Sequence, residues 1–178
     1  MNYFEFFDIP VSFRVDTSAL RRQYLENSKK YHPDFHTLAG DEVQADMLEM
    51  STLNNEAYKT LLDPDRRMRY ILEINGLLGE EESQPALSQD FLMEMMEINE
   101  ALMELEFDFD QTRYDAAMAA LVQQEKQLLD LVQPVLDSWK EADGKAALAP
   151  VLDYYLKKRY LLRIRENLSK FAAANEQG

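Results

Sequence analysis

The chain has only two imidazoles, and both lie in one short stretch, His32-Pro33-Asp34-Phe35-His36. Their spacing of four is the one at which a helix can offer two ligands to a single metal. Pro33 stands between them and breaks such a helix, because its ring blocks helical geometry at His32 and it has no N–H to donate. A nucleophilic triad would need a serine beside one of these two histidines. Neither a Gly-x-Ser-x-Gly turn nor a Gly-rich phosphate loop is present. The chain contains no cysteine, so thiolate ligands, a Cys nucleophile and disulfides are excluded. On these residues an enzyme reading of the tripeptide His32-Pro33-Asp34 is weak. In isolation the same tripeptide reads first as an ordinary helix stop.

A second stretch with unusual chemistry runs from Phe91 to Glu106. Phe91, Met95, Ile98, Leu102 and Leu105 step by four and three, which is enough to bury one side of a helix. Leu92, Met93, Met96 and Met103 are left over, and between Glu94 and Asp110 there are seven acids and no base. One reading is a wide core stripe with a solvated acidic face. The other is an apolar patch with an acidic border, a form suited to holding a protein. Methionine suits such an adaptable surface.

The elements that must position these stretches are helical. Leu, Ala, Glu, Met, Gln and Lys dominate the composition, and only five Gly and six Pro occur in 178 residues. A short aromatic piece covers residues 3–9, with Phe4 and Phe7 facing inward. Asp16-Thr17-Ser18 offers N-caps for a helix to about Tyr31 with Leu20, Tyr24, Ser28 and Tyr31 on one face. Its other face carries Arg21, Arg22, Lys29 and Lys30 against a single Glu26. A longer helix from about Asp41 to Leu62 presents Val43, Met47, Met50, Asn54, Ala57, Tyr58 and Leu61, so the pair reads as an antiparallel hairpin. Asp63-Pro64 caps and opens a helix to about Asn75. Residues 77–87 read as a linker. Ser88 caps a helix from about Gln89 to Phe107. Another spans about Thr112 to Trp139, and Pro134 should kink or split it. The last runs from about Ala147 to Ala173 with Pro150 in its first turn, and Asn175–Gly178 should fray. Three long helices with short connections make a bundle.

Hydrophobic residues make up 46% of the chain, ample for a core, and the net charge is −14. Phosphate binding needs clustered cations, so nucleic acid is not an expected partner. The charge is uneven: residues 1–76 carry 9 basic and 13 acidic side chains, and residues 77–178 carry 10 and 20. Two modules with different partners are expected. No apolar run of membrane-spanning length and no signal-peptide pattern occurs, so neither a membrane nor an export route is expected.

In this order, residues 2–76 resemble the J-domain of DnaJ-type co-chaperones. The matching marks are Tyr3-Phe4, the basic second helix, His32-Pro33-Asp34, the block Asn55-Glu56-Ala57-Tyr58 and the Asp63-Pro64 start of the fourth helix. Two positions depart: Asp8 stands where a glycine or small residue is usual, and Phe35 where many members have a base. With a three-helix domain behind it, the whole chain is similar to the HscB (Jac-type) co-chaperones of iron–sulfur cluster assembly. Phe91-Leu92-Met93-Glu94, with Glu97, Glu100 and Glu104, is similar to that family's scaffold-binding helix.

The resemblance implies an L-shaped all-α protein with a J-domain at 1–76, a linker at 77–87 and a scaffold-binding domain at 88–174. The J-domain would engage an HscA/DnaK-type ATPase through Arg21, Arg22, Lys29, Lys30, His32, Pro33 and Asp34. The second domain would bind an IscU-type scaffold through Leu92, Met93, Met96, Glu97, Glu100 and Glu104. Tyr160 is the match to a family aromatic on the last helix, where phenylalanine is more usual; it reads equally as a core ring. The chain itself would have no catalytic residue, metal or cofactor, and a cytoplasmic monomer is expected. The alternatives are a J-domain protein for another client and a helical adaptor with a chance His-Pro-Asp turn.

Overall fold

The structure, a computed structural model, describes residues 1–79 and 85–178. The described residues contain eight α-helices and no strand: α1 (Tyr3–Phe6), α2 (Thr17–Lys30), α3 (Asp41–Leu62), α4 (Pro64–Ile74), α5 (Gln89–Glu94), α6 (Met96–Phe107), α7 (Gln111–Ser138) and α8 (Ala149–Gln177). The all-α expectation holds. The chain divides into two compact units. One comprises residues 1–79 and 139–145; the other comprises the described residues of 80–138 with 146–178. The centre of the expected linker, residues 80–84, lies outside the described residues.

In the first unit the local signals act where they were read. Asp16 accepts from the N–H groups of Ser18 and Ala19, and Asp63 from those of Asp65 and Arg66, so α2 and α4 start at side-chain caps. Asn2 and Glu5 form a reciprocal capping box on α1. Phe4 and Phe7 are buried, with Leu20, Ala57, Leu61, Ile71 and Leu72. Polar residues set the register of the α2–α3 hairpin. The Asn54 side-chain amide, 1% exposed, donates to the Tyr24 carbonyl at 3.1 Å and to Ser28 Oγ at 3.2 Å, and its Oδ1 accepts from Asn27 at 3.2 Å. Ser28 and Asn54, which interrupt the apolar stripes in the sequence, are therefore bonded to each other. A buried amide with these partners disfavours any slipped pairing, because slippage strands it without them. Arg67, 8% exposed, donates to the carbonyls of Phe13 (2.9 Å) and Leu61 (2.6 Å). Burial pushes its guanidinium below the ordinary value, and the neighbouring Asp63 opposes that.

One apolar assignment fails. Val43 is 44% exposed. The pairing of Asn27 with Asn54 sets the end of α2 level with the middle of α3, so the first turns of α3 run past the shorter helix. Val43 and Leu48 lie on that overhang, exposed to solvent.

The second unit packs α6, α7 and α8 together, with α5 leading into α6. Its core holds Phe91, Met95, Ile98, Leu105, Ala117, Leu121, Leu161, Ile164 and Leu168. The stripe read from Phe91 to Leu105 is thus the buried one, with Leu102 partly covered. Two boundaries differ from expectation. The helix expected over 89–107 is interrupted at Met95, whose ψ of −4° departs from helical geometry and separates α5 from α6. No glycine or proline marks that break. Of the kink or split expected at Pro134, the split does not occur. Pro134 is exposed, so the Asp130 carbonyl that it leaves without a helical partner can turn to water. The C-terminal end is helical to Gln177 rather than frayed from Asn175. Pro150 lies in the first turn of α8, where a missing N–H costs nothing.

Candidate partner-binding surfaces

The first candidate surface is the end of the α2–α3 hairpin. Pro33–Phe35 forms a single 3-10 turn with Pro33 at its first position. The Asp34 N–H donates to His32 Nδ1 at 3.2 Å, the Phe35 N–H to the His32 carbonyl at 3.1 Å, and the His36 N–H to the Pro33 carbonyl at 2.9 Å. His32 Nδ1 also lies 3.7 Å from the Asp34 carboxylate. That nitrogen cannot accept from the N–H and donate to the carboxylate at once. The shorter contact is the one a neutral ring makes, with its proton on Nε2. Asp34 itself is 85% exposed. The four cations Arg21, Arg22, Lys29 and Lys30 are all exposed on α2, as a docking face requires.

In the sequence His36 stands as a candidate metal ligand or triad imidazole. Its Nε2 donates to the Lys30 carbonyl at 2.8 Å, which satisfies one of the last carbonyls of α2 and ties the loop to that helix. Among the described residues no cluster of His, Cys, Asp and Glu could hold a metal. Two exposed apolar side chains beside the turn were also not singled out as surface: Phe35 (72%) and Leu38 (102%). Between the turn and the start of α3 lies a hollow of about 340 Å³ lined by Pro33, Asp34, His36, Gln44, Met47 and Leu48.

The second candidate surface is the outer side of α5 and α6. Leu92, Met93, Met96, Glu97, Glu100 and Glu104 are all exposed, the first three at 40%, 67% and 54%. Ser88 caps α5 by accepting from the Phe91 N–H, and Phe91 and Met95 anchor the opposite side in the core. Leu92, Met93 and Met96 therefore remain in water although these helices already bury Phe91, Met95, Ile98 and Leu105. Met103 and Phe107 extend it, at 61% and 89%. Phe107 was not picked out from the sequence; its position at the end of α6 is what leaves it in solvent. Glu104 is paired with Arg113 across the α6–α7 connection at 3.2 Å.

Tyr160 is half-buried. Its ring meets Phe91 edge-on at 5.6 Å between centroids, and its hydroxyl accepts from the Asn99 side chain at 2.8 Å. Lys157, one turn before, sits 5.3 Å above the Phe91 ring. The ring thus braces α5 and α6 against α8 while keeping an exposed edge.

Residues 87–169 match the family described as "HSCB C-terminal oligomerisation domain". A co-chaperone protein HscB homolog of Paraburkholderia xenovorans is 33% identical over 146 residues, covering 82% of this chain and 83% of the relative. The human iron-sulfur cluster co-chaperone protein HscB is 32% identical over 167 residues, covering 94% of this chain and 67% of the human protein. The crystal structure of human HscB superposes with a TM-score of 0.69 at 30% identity, over 95% of this chain and 81% of that one. With relatives of this identity aligned along most of its length, and its fold shared with a solved member, the chain belongs to the HscB co-chaperone family.

Proposed function

We propose that the chain is a co-chaperone of iron–sulfur cluster assembly that stimulates the ATPase of an HscA/DnaK-type chaperone and delivers an IscU-type scaffold to it. The human relative is named as an iron–sulfur cluster co-chaperone. Residues 1–76 are the J-domain in this reading and residues 88–174 the scaffold-binding domain. The exposed cations of α2 steer an acidic chaperone surface toward the turn. Asp34, held by the 3-10 turn, supplies a carboxylate to a chaperone arginine. ATP hydrolysis belongs to the chaperone; this chain has no catalytic role. Engaging both partners raises the effective concentration of scaffold at the ATPase without adding chemistry.

The observation that carries the scaffold half of this reading is the exposure of Leu92, Met93 and Met96 on helices that already bury Phe91, Met95, Ile98 and Leu105. Replacing these three with alanine leaves the core untouched. Scaffold affinity should fall by roughly tenfold or more, as loss of an apolar contact centre does, with the helical content of the full chain unchanged. Unchanged affinity, measured by calorimetry with the purified scaffold, would return α5 and α6 to a solvated face and favour a different client. No helix among the described residues is long and apolar enough to cross a membrane. The reading places the protein in the cytoplasm as a monomer that forms its complexes through these two surfaces.

A further inference from the structure

The 3-10 turn at the hairpin end has three N–H groups to satisfy, those of Asp34, Phe35 and His36, because Pro33 has none. Two go to backbone carbonyls, of His32 and Pro33. The third, on Asp34, goes to a side-chain nitrogen, His32 Nδ1. His32 stands at the N-cap with extended backbone angles (φ −65°, ψ 129°), the geometry from which a short polar side chain reaches the second residue of the turn. Its ring is about half exposed and meets the Phe35 ring edge-on at 6.1 Å between centroids, so its solvent side leaves it room to turn. The bond to Asp34 fixes it.

We infer that His32 is a positioning residue: its Nδ1 caps the turn through the Asp34 N–H and so sets the direction of the Asp34 carboxylate, and the ring is not itself the group the partner reads. This deepens the proposed co-chaperone function for its activity readout and stands apart from it for its spectroscopic one. The two histidines then divide the work on one turn. His32 accepts at its start, and His36 donates from Nε2 to the Lys30 carbonyl at its end. Both rings carry their proton on Nε2, for opposite reasons.

Two substitutions separate capping from contact. Asparagine places its Oδ1 near the position of Nδ1 and can cap the turn. Glutamine places its amide near the position of Nε2 and can replace a contact there, but not the cap. In stimulation of a DnaK-class ATPase by the full chain, His32→Asn should stay within about twofold of wild type, while His32→Gln and His32→Ala should lose roughly fivefold, the usual worth of a capping bond. Retention by Gln with loss in Asn would overturn the inference and make the ring a contact. Independently of any partner, nitrogen chemical shifts of the labelled full chain at neutral or mildly alkaline pH should show an unprotonated Nδ1 on His32. A protonated Nδ1 with neutral Nε2 would overturn it, whatever the ATPase does.

Discussion

Asp8 and Gly76 occupy the same position at the ends of their helices. After α1, Asp8 takes φ +54°, its N–H donates to the Glu5 carbonyl, and the Ile9 N–H reaches back to the Phe4 carbonyl, each at 3.0 Å. After α4, Gly76 takes φ +71°, its N–H donates to the Glu73 carbonyl, and the Leu77 N–H reaches the Leu72 carbonyl, each at 2.9 Å. Both are Schellman closures, which require a left-handed residue just past the helix. The departure noted at Asp8 has its explanation here: the position wants glycine, and aspartate is among the few other residues that tolerate it.

The pair predicts opposite outcomes for two substitutions. Asp8→Gly relieves the left-handed strain and should leave stability unchanged or raise it by up to about 1 kcal/mol. Gly76→Ala meets no atom within 4 Å, so its cost is the backbone alone, about 1 kcal/mol or somewhat more. Urea unfolding of the full chain, followed by the single tryptophan, Trp139, reads the first unit, because that ring packs 5.5 Å from Phe13.

Tyr160 offers a second test. Tyr160→Phe keeps the ring against Phe91 and deletes the acceptor of the Asn99 amide. The expected cost is about 1 kcal/mol of stability in the second unit, seen as an earlier helical unfolding midpoint. Scaffold affinity should remain near wild type if only the ring is used. A large loss of affinity with stability intact would assign the hydroxyl to the partner.

Alkaline pH should weaken the first unit. Tyr3 and Tyr70 stack at 4.4 Å, and the Tyr3 N–H donates to the Tyr70 hydroxyl at 2.9 Å. Burial raises both phenols above their ordinary value of 10.0, with nearby carboxylates adding to it; the bond from Tyr3 N–H partly opposes the rise at Tyr70. A phenol raised in the folded protein holds its proton where the unfolded chain has lost it. The contribution of the two phenols is therefore fully present below pH 10 and is lost as pH climbs beyond it. Thermal midpoints should drop from about pH 10 upward, and Tyr70→Phe should flatten that drop.

What could be read beforehand divides by range. Asp16, Asp63 and Ser88 act on N–H groups two or three residues away, so their caps were legible. The stripe from Phe91 to Leu105 was legible because its spacing is the helix period itself, and the surplus of Leu92, Met93 and Met96 follows from the same arithmetic. The Asn54–Ser28 bond joins residues far apart in the chain, and a polar residue in an apolar stripe looks like an interruption until its partner is known. Val43 looked inward by period; its exposure depends on where α2 stops. The break at Met95 carries no glycine or proline to announce it. His36 was weighed as a ligand because residue type suggests chemistry, while its bond to the Lys30 carbonyl depends on the path of the loop.

The central claim is that Asp34 at the turn activates a partner ATPase. The direct measurement is steady-state ATP hydrolysis by a DnaK-class chaperone with the full chain, wild type against Asp34→Ala. The variant removes one exposed carboxylate and should fold normally. The account predicts stimulation by wild type and a loss of roughly tenfold or more in the variant, the worth of a charge-assisted pair. Equal stimulation by the two proteins would contradict it.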